Sequence, residues 1–312
     1  MKKFRSNGKL LITGEYVVLN GALALAIPTK FGQSMEVETM EEEIIHWIAY
    51  DHLGKVWFEN EFQIDEIVAQ NQRKETSKEP LRENGVVSSR LSQILREAHH
   101  LNPEIFTTGK GYKITTQLDF PNNWGLGSSS TLLNNIAQWF KTDAYILLDK
   151  TFGGSGYDIA AAQREQGFTY QISQNNRCVL AAGFNPEFKK DLFFVHLNKK
   201  QNSRASITHY KQQSKEFLSE TIGKISALTS RFIGCESLEE FNLLIEIHET
   251  LISKIINTKK VKLELFPDYP GAIKSLGGWG GDFILATGGE KEQDYFRKKG
   301  FETIISYSDM VL

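Results

Sequence analysis

An α+β fold is predicted by three observations. The first third of the chain is a series of short apolar runs broken by Gly, Asn, Asp and charged turns, and the stretch from 212 to 257 carries one apolar stripe of helical period. Strands and helices mix without the regular alternation of a doubly wound sheet.

In order, strands are expected at 10–19, 22–28, 34–39, 44–50 and 55–59. The polar charge run at 70–83 reads as a solvated loop. Val87, Leu91, Ile94, Leu95 and Ala98 then recur at helical spacing, and 112–118 returns as a strand. Beyond residue 158, strands are expected at 169–172, 177–182 and 192–197. In the long helical region, Leu238, Phe241, Leu244, Ile245, His248, Leu251, Ile252 and Ile255 share one face, which is a core face. A strand at 283–287, a helix near 292–299 and a strand at 303–307 close the chain.

Composition narrows the function. At 312 residues, 40% hydrophobic and 24% charged, the chain has the make-up of a globular protein of one large or two packed domains. A formal net charge of −2 provides no basic excess for neutralising nucleic-acid phosphates. Cys178 and Cys235 are isolated, which supports neither structural zinc nor a disulfide framework. The basic N-terminus runs into a strand-like segment without a signal-type apolar core, and the longest apolar tract is too short to span a bilayer, so a cytoplasmic location is expected. The seven histidines form no HExxH pair, and no Gly-x-Ser-x-Gly elbow is present. His99 and His100 fall at a helix end, where they suit the C-terminal dipole.

The segment most informative about chemistry is Pro121-Asn122-Asn123-Trp124-Gly125-Leu126-Gly127-Ser128-Ser129-Ser130-Thr131. It opens directly onto a helical pattern at Leu132, Leu133, Ile136, Ala137 and Phe140. Gly125 and Gly127 let the backbone approach an anion, and the helix N-terminus offers unpaired N–H groups at the positive end of a dipole. The loop is neither a Walker A segment, which needs Gly-Lys-Ser/Thr, nor a dinucleotide fingerprint, which needs a third Gly where Ser130 stands. Alone it also reads as a plain connection.

Three more segments accompany it. The chain opens with Gly8-Lys9-Leu10-Leu11-Ile12-Thr13-Gly14-Glu15-Tyr16. Phe152-Gly153-Gly154-Ser155-Gly156-Tyr157-Asp158-Ile159-Ala160-Ala161-Ala162 follows the loop, and Lys274-Ser275-Leu276-Gly277-Gly278-Trp279-Gly280-Gly281-Asp282-Phe283 comes near the end. Together, and in this order, the four resemble the signature regions of the GHMP kinases, with Trp279 where a small residue is usual. The resemblance implies a GHMP kinase fold, with an N-terminal ATP-binding domain over 1–160 and a C-terminal ferredoxin-like domain over 161–312. It also implies ATP and Mg2+ as cofactors. The implied partner is a small molecule, a mevalonate-type acid or its phosphate, with no nucleic acid or membrane; a homodimer is compatible with this.

Phosphoryl transfer needs a held triphosphate, compensating cations and an oriented nucleophile. By resemblance, Gly125, Leu126, Gly127, Ser128, Ser129 and Ser130 cradle the phosphates, and Ser129 reaches the metal. The family's acidic metal ligand precedes the third segment, but only 29 positions separate Ser129 from Asp158. A helical hairpin is therefore missing or condensed. Asp149 is the nearest acidic candidate and Asp143 the other; either also reads as an ordinary helix-surface carboxylate.

Asp158 matches the aspartate placed beside the phosphoryl acceptor, and Lys9 the cation that keeps it ionised. Asp158 also suits an N-cap of the helix at 159–162. Lys9 and Glu15, six apart, share a face of a regular strand. Glu15 is expected near the nucleotide or supporting Lys9. Gly278 and Gly280, with Gly277 and Gly281, are expected to bring backbone close to the phosphates, or else to form a tight hairpin before the strand at 283.

Within the family, Gly14-Glu15-Tyr16, the segment at 154–162 and Gly280-Gly281-Asp282 look more like phosphomevalonate kinase than mevalonate kinase. Either acceptor is expected. The alternatives are a catalytically inactive GHMP-fold binding or regulatory protein, motivated by the condensed segment and Trp279, and a diphosphomevalonate decarboxylase.

Overall fold

The computed structural model describes residues 1–69, 83–174 and 176–312. The expected loop at 70–83 lies outside the described residues as far as residue 82. The first half of the chain builds β1 (Lys2–Thr13), β2 (Ala24–Met40), β3 (Ile44–Tyr50), β4 (Val56–Gln63), α1 (Ile64–Val68), α2 (Glu83–Leu101), β5 (Gly111–Leu118), α3 (Ser128–Phe140), α4 (Ala144–Thr151) and α5 (Tyr157–Ala162). The second half adds β6 (Phe168–Ser173), β7 (Asn176–Ala181), β8 (Leu192–His196), α6 (Ser203–Gln212), α7 (Leu218–Ile233), α8 (Leu238–Ile256) and α9 (Val261–Leu265). It ends with β9 (Ile273–Ser275), β10 (Phe283–Thr287), α10 (Glu290–Lys298), β11 (Ile304–Ser306) and α11 (Tyr307–Met310).

Three strand and helix expectations need correcting. The first strand stops at Thr13 because Gly14 turns the chain at φ 90, and a short 3-10 turn follows at Val17–Asn20. The expected strands at 22–28 and 34–39 are one strand, β2. Its Gly32 serves a close approach: a Cβ there would lie 2.3 Å from the Ser6 carbonyl oxygen. The helical region near 212–257 is two helices, α7 and α8, preceded by α6.

The chain forms two compact units. The first contains Met1–Asn7, Phe31–Asn122 and Gly127–Gln163. The second contains Gly8–Lys30, Asn123–Leu126 and Arg164–Leu312. The division follows contacts rather than a single cut in sequence.

In the first unit, β3 and β4 form an antiparallel hairpin, β3 lies parallel to β5, and β5 pairs antiparallel with the second half of β2, from Gln33↔Leu118 to Met40↔Gly111. Alternating residues of these strands, among them Val37, Ile45, Trp47 and Ile114, bury one face against Leu91, Leu95, Leu133, Ile136 and Phe140 of α2 and α3. This is the period-2 and period-3.6 patterning read from sequence, and each such fully buried side chain contributes about 1.5–3 kcal/mol. α4 begins at Asp143, whose carboxylate accepts the Tyr145 and Ile146 amides at 2.7 and 3.3 Å. Asp143 is thus an N-cap.

A buried polar network runs along α3. Asn135 accepts the Ser6 hydroxyl at 2.7 Å and donates to the Gln33 carbonyl at 3.0 Å. Asn134 donates to Ser6 Oγ at 2.8 Å and accepts Gln163 Nε2 at 2.9 Å, and Thr131 donates to Gln33 Oε1 at 2.8 Å. These bonds satisfy groups that would otherwise be costly to bury, and their directionality fixes α3 in rotation and height.

In the second unit, the start of β2 pairs with β6 and β6 with β7, all antiparallel. A separate antiparallel sheet runs β11-β8-β10-β9. Phe193, Val195, Phe266, Ile284 and Phe296 form its core. Among the described residues, no helix is long and apolar enough to cross a membrane. Cys178 is exposed and Cys235 buried, each a free thiol.

At the start of β9 this unit buries a complete lysine. Lys274, with no solvent exposure, donates to Glu15, to Glu249 at 3.2 Å and to the Ser275 carbonyl at 2.7 Å. Glu249 also accepts the Ser275 amide and hydroxyl at 3.1 and 2.8 Å. His248, on the stripe read as plain core, accepts the Gly14 amide through Nε2 at 3.2 Å. That bond requires the neutral tautomer with its proton on Nδ1, in keeping with a pKa lowered well below normal by burial and then by Lys274. The 3.3 Å approach of Glu15 Oε2 to the same Nε2 is therefore not an ion pair. Burial raises the Glu15 pKa to about 7, against the opposing pull of Lys274.

Two predictions follow from this packing. Asn135→Ala strips two buried partners of their bonds and should cost about 2–4 kcal/mol, measured as a lowered urea midpoint. Glu15 has a folded pKa above its unfolded value of 4.5. Its contribution to stability is complete below pH 4.5, is lost as pH rises to about 7 and is constant above that. Relative to Glu15→Gln, the wild type should lose about 3 kcal/mol across that window. Parallel stability curves for the two proteins would refute the assignment.

Candidate active site

The glycine and serine loop crosses from the second unit to the first between Leu126 and Gly127, and each half is moulded by its own unit. In the second unit, the Lys9 ammonium donates to the Gly125 carbonyl at 2.8 Å, and the Lys9 amide donates to the Leu126 carbonyl at 3.0 Å. His196 Nε2 lies 3.0 Å from the Asn123 carbonyl, which calls for the proton on Nε2. Trp124 packs edge-on against Phe283 with ring centroids 5.3 Å apart. Gly125 has φ 66. A Cβ there would fall 2.3 Å from Asp282 Cγ, so glycine is required both by conformation and by space.

In the first unit, Gly127, at φ 91, is the N-cap of α3 and has no side chain to cap it. The opening turn of a thirteen-residue helix therefore presents its amides at the loop. Ser128 is half-buried, Ser129 exposed and Ser130 buried. The Ser130 hydroxyl donates to Asp158 Oδ2, so the second and third signature segments meet here. Asp158 Oδ1 accepts the Ile159 amide at 3.1 Å. The N-cap of α5 is Gly156, at φ 90, and not Asp158, which stands in the first turn. Its carboxylate is half-buried and directed at the loop's last serine.

Glu15 departs from its expected place. It is 1% exposed and enclosed by Lys274 and His248. It lies beyond the Gly14 turn, so it does not share a strand face with Lys9, and no surface of its side chain remains for a nucleotide. Asp149 is exposed on α4. Among the described residues, no group of three or more His, Cys, Asp or Glu is placed to hold a metal ion.

The last glycine segment is a turn locked by Gln201. The Gln201 side chain donates to the Trp279 carbonyl at 2.7 Å, and a Cβ on Gly281 would lie 2.6 Å from Gln201 Cγ. Gly278 also faces Gln201, while Gly280 supplies a φ of 82. Trp279 is buried, with its indole N–H unpartnered. Sequence reasoning missed Gln201, His196 and the Ser6–Asn134–Asn135–Gln163 network. Each is a lone polar residue in an unremarkable stretch, and only the 7% exposed Asp282 stood within a motif.

No family model matches the chain, and no curated protein matches it in sequence. Solved structures do match. The Methanococcus jannaschii mevalonate kinase is 16% identical with a TM-score of 0.70, covering 97% of this chain and 96% of its own. The Streptococcus pneumoniae phosphomevalonate kinase, in complex with phosphomevalonate and AMPPNP, is 15% identical with a TM-score of 0.66, covering 98% and 100%. The Lactococcus lactis galactokinase, complexed with galactose, is 13% identical with a TM-score of 0.66, covering 100% and 93%. Over nearly its whole length, this chain has the α+β fold of the GHMP kinases.

Proposed function

We propose that the chain is an ATP-dependent small-molecule kinase of the GHMP type, acting on mevalonate or phosphomevalonate. The observation that carries the proposal is the Asp158 carboxylate fastened to the Ser130 hydroxyl at the mouth of an uncapped, glycine-led helix. A positioned carboxylate beside an anion cradle is what transfer of a phosphoryl group to a hydroxyl requires: one part holds the donor, and the other orients the acceptor and takes its proton.

The cradle suits a triphosphate. Gly125 and Gly127 keep side chains away from the approach, and the first-turn amides of α3 supply donors. Lys9, held on the Gly125 carbonyl, contributes a cation at the loop. Magnesium suits the same loop in the manner of an ion carried largely by the nucleotide, because hydroxyl and carboxylate oxygens are hard donors and, among the described residues, no group of three or more His, Cys, Asp or Glu is placed to hold a metal ion. Ser129 would reach it, with Asp149 as the carboxylate candidate. Bound there, the ion would neutralise charge on the transferring phosphoryl group.

The choice of acceptor rests on the segments at 14–16, 154–162 and 280–282, together with the likeness to the mevalonate and phosphomevalonate kinase structures. Gly278 and Gly280 are assigned to backbone approach at the phosphates. The same reading places the protein in the cytoplasm.

Coupled ADP release with Mg-ATP, run against mevalonate, phosphomevalonate, diphosphomevalonate, homoserine and galactose, tests this. Turnover is expected on mevalonate or phosphomevalonate, with kcat in Asp158→Asn reduced at least about 100-fold while ATP binding stays within about twofold. Carbon dioxide released from diphosphomevalonate would identify a decarboxylase instead. ATP binding without turnover on any acceptor would identify a regulatory protein. Gly125→Ala should abolish nucleotide binding by calorimetry, because its Cβ has no room beside Asp282.

A further inference from the structure

A fixed negative charge lies against the loop assigned to phosphate binding. All three carboxyl atoms of Asp282 fall within 2.7 Å of the position a Gly125 Cβ would take. The side chain is 7% exposed and held from several directions. The Asp282 amide donates to the Lys199 carbonyl at 2.7 Å, its carbonyl accepts the Leu197 amide at 2.8 Å, and its Oδ1 accepts the Gln201 amide at 3.0 Å. Its φ of 52 is a left-handed conformation that costs a non-glycine residue energy. The two backbone bonds fix the residue, and the carboxylate cannot swing away without breaking its bond from the Gln201 amide.

An oxygen bonded to the Gly125 amide would come within about 8 Å of this carboxylate. Lys9 stands on the opposite group of the same residue, the Gly125 carbonyl. The loop therefore combines donors and a cation, which attract any phosphate, with a buried anion that repels the most highly charged ones. Steric need alone does not require an acid here, since the wedge against Gly125 and the acceptor for Gln201 are equally supplied by an amide.

Resting on the nucleotide-binding reading above, we propose that Asp282 is a specificity-determining residue that makes the loop select the nucleotide as its magnesium complex over the metal-free polyanion. Magnesium offsets about two of the negative charges on ATP. With two charges' difference at this range, a surface-like dielectric and ionic screening over about one Debye length, Asp282 is worth about tenfold in discrimination.

The test is calorimetric titration of the full chain with ATP in excess magnesium and with ATP in EDTA, comparing wild type with Asp282→Asn. In the wild type the magnesium complex should bind at least about tenfold tighter. In Asp282→Asn that ratio should shrink by about tenfold through tighter metal-free binding, with the Kd for Mg-ATP moving less than about threefold. Asp282→Ser, a smaller neutral residue, reads the same ratio should the amide fail to fold. An unchanged ratio in a folded neutral variant overturns the role of Asp282 while leaving the kinase reading intact. Absence of nucleotide binding in every protein, with and without magnesium, overturns both.

Discussion

A lysine with no solvent exposure sets the terms for the second unit. Burying the Lys274 ammonium would be prohibitive without partners, and the partners come from three separate places in sequence: Glu15 after the first strand, Glu249 on α8 and the Ser275 carbonyl beside it. Two carboxylates against one ammonium leave an excess negative charge. The raised Glu15 pKa and the neutral His248 beside it describe how that charge is relieved, by retaining a proton. The consequence for the site is geometric. The cluster ties the Gly14–Glu15 turn, five residues past Lys9, to the strand that leads into the last glycine segment.

The glycine and serine loop passes from one compact unit to the other, and each half is held by its own unit. Asn123–Leu126 is held by Lys9, His196, Phe283 and Asp282, all of the second unit, while Gly127–Ser130 is held by α3 and Asp158 of the first. Each half has a left-handed glycine, Gly125 in the first and Gly127 in the second. Of the three serines, Ser130 is used by Asp158, while Ser128 is half-buried and Ser129 exposed.

Elements whose patterning is local were legible in the sequence. The strand at Ile44–Tyr50, the helix through Leu91 and Leu95, and the strands β6, β7, β8 and β10 follow from alternation or helical spacing over a few residues. The turns at Gly125, Gly127 and Gly156 were legible because glycine identity encodes backbone conformation. What escaped depends on distance in sequence. Gly32 looked like a turn, but it is a glycine because the Ser6 carbonyl packs where its side chain would be. Glu15 looked like a strand-face charge until Gly14 turned the chain and Lys274, 259 positions away, enclosed it. Likewise, the burial of Asn134 and Asn135, 1% and 0% exposed, depends on Ser6 and Gln33, more than a hundred positions away.

Sequence identities of 13–17% alongside TM-scores near 0.7 fit this division between local and long-range information. Core positions need only apolar volume of the right size, so they drift. The backbone at Gly125, Gly127 and Gly156, all at positive φ, admits few alternatives, since any side chain there meets steric resistance from its own peptide. A chain can therefore change most of its residues and keep this fold as long as these three positions keep their glycines. Asp282 is one of six non-glycine residues at positive φ among the described residues. It holds a φ of 52 without being a glycine, and the strain is borne by hydrogen bonds from Leu197 and Gln201 and to Lys199. The Asp282 side chain is thereby held against the Gly125 backbone by bonds that an uncharged side chain of the same shape would equally accept, so its charge, and not its bulk, is what distinguishes it there.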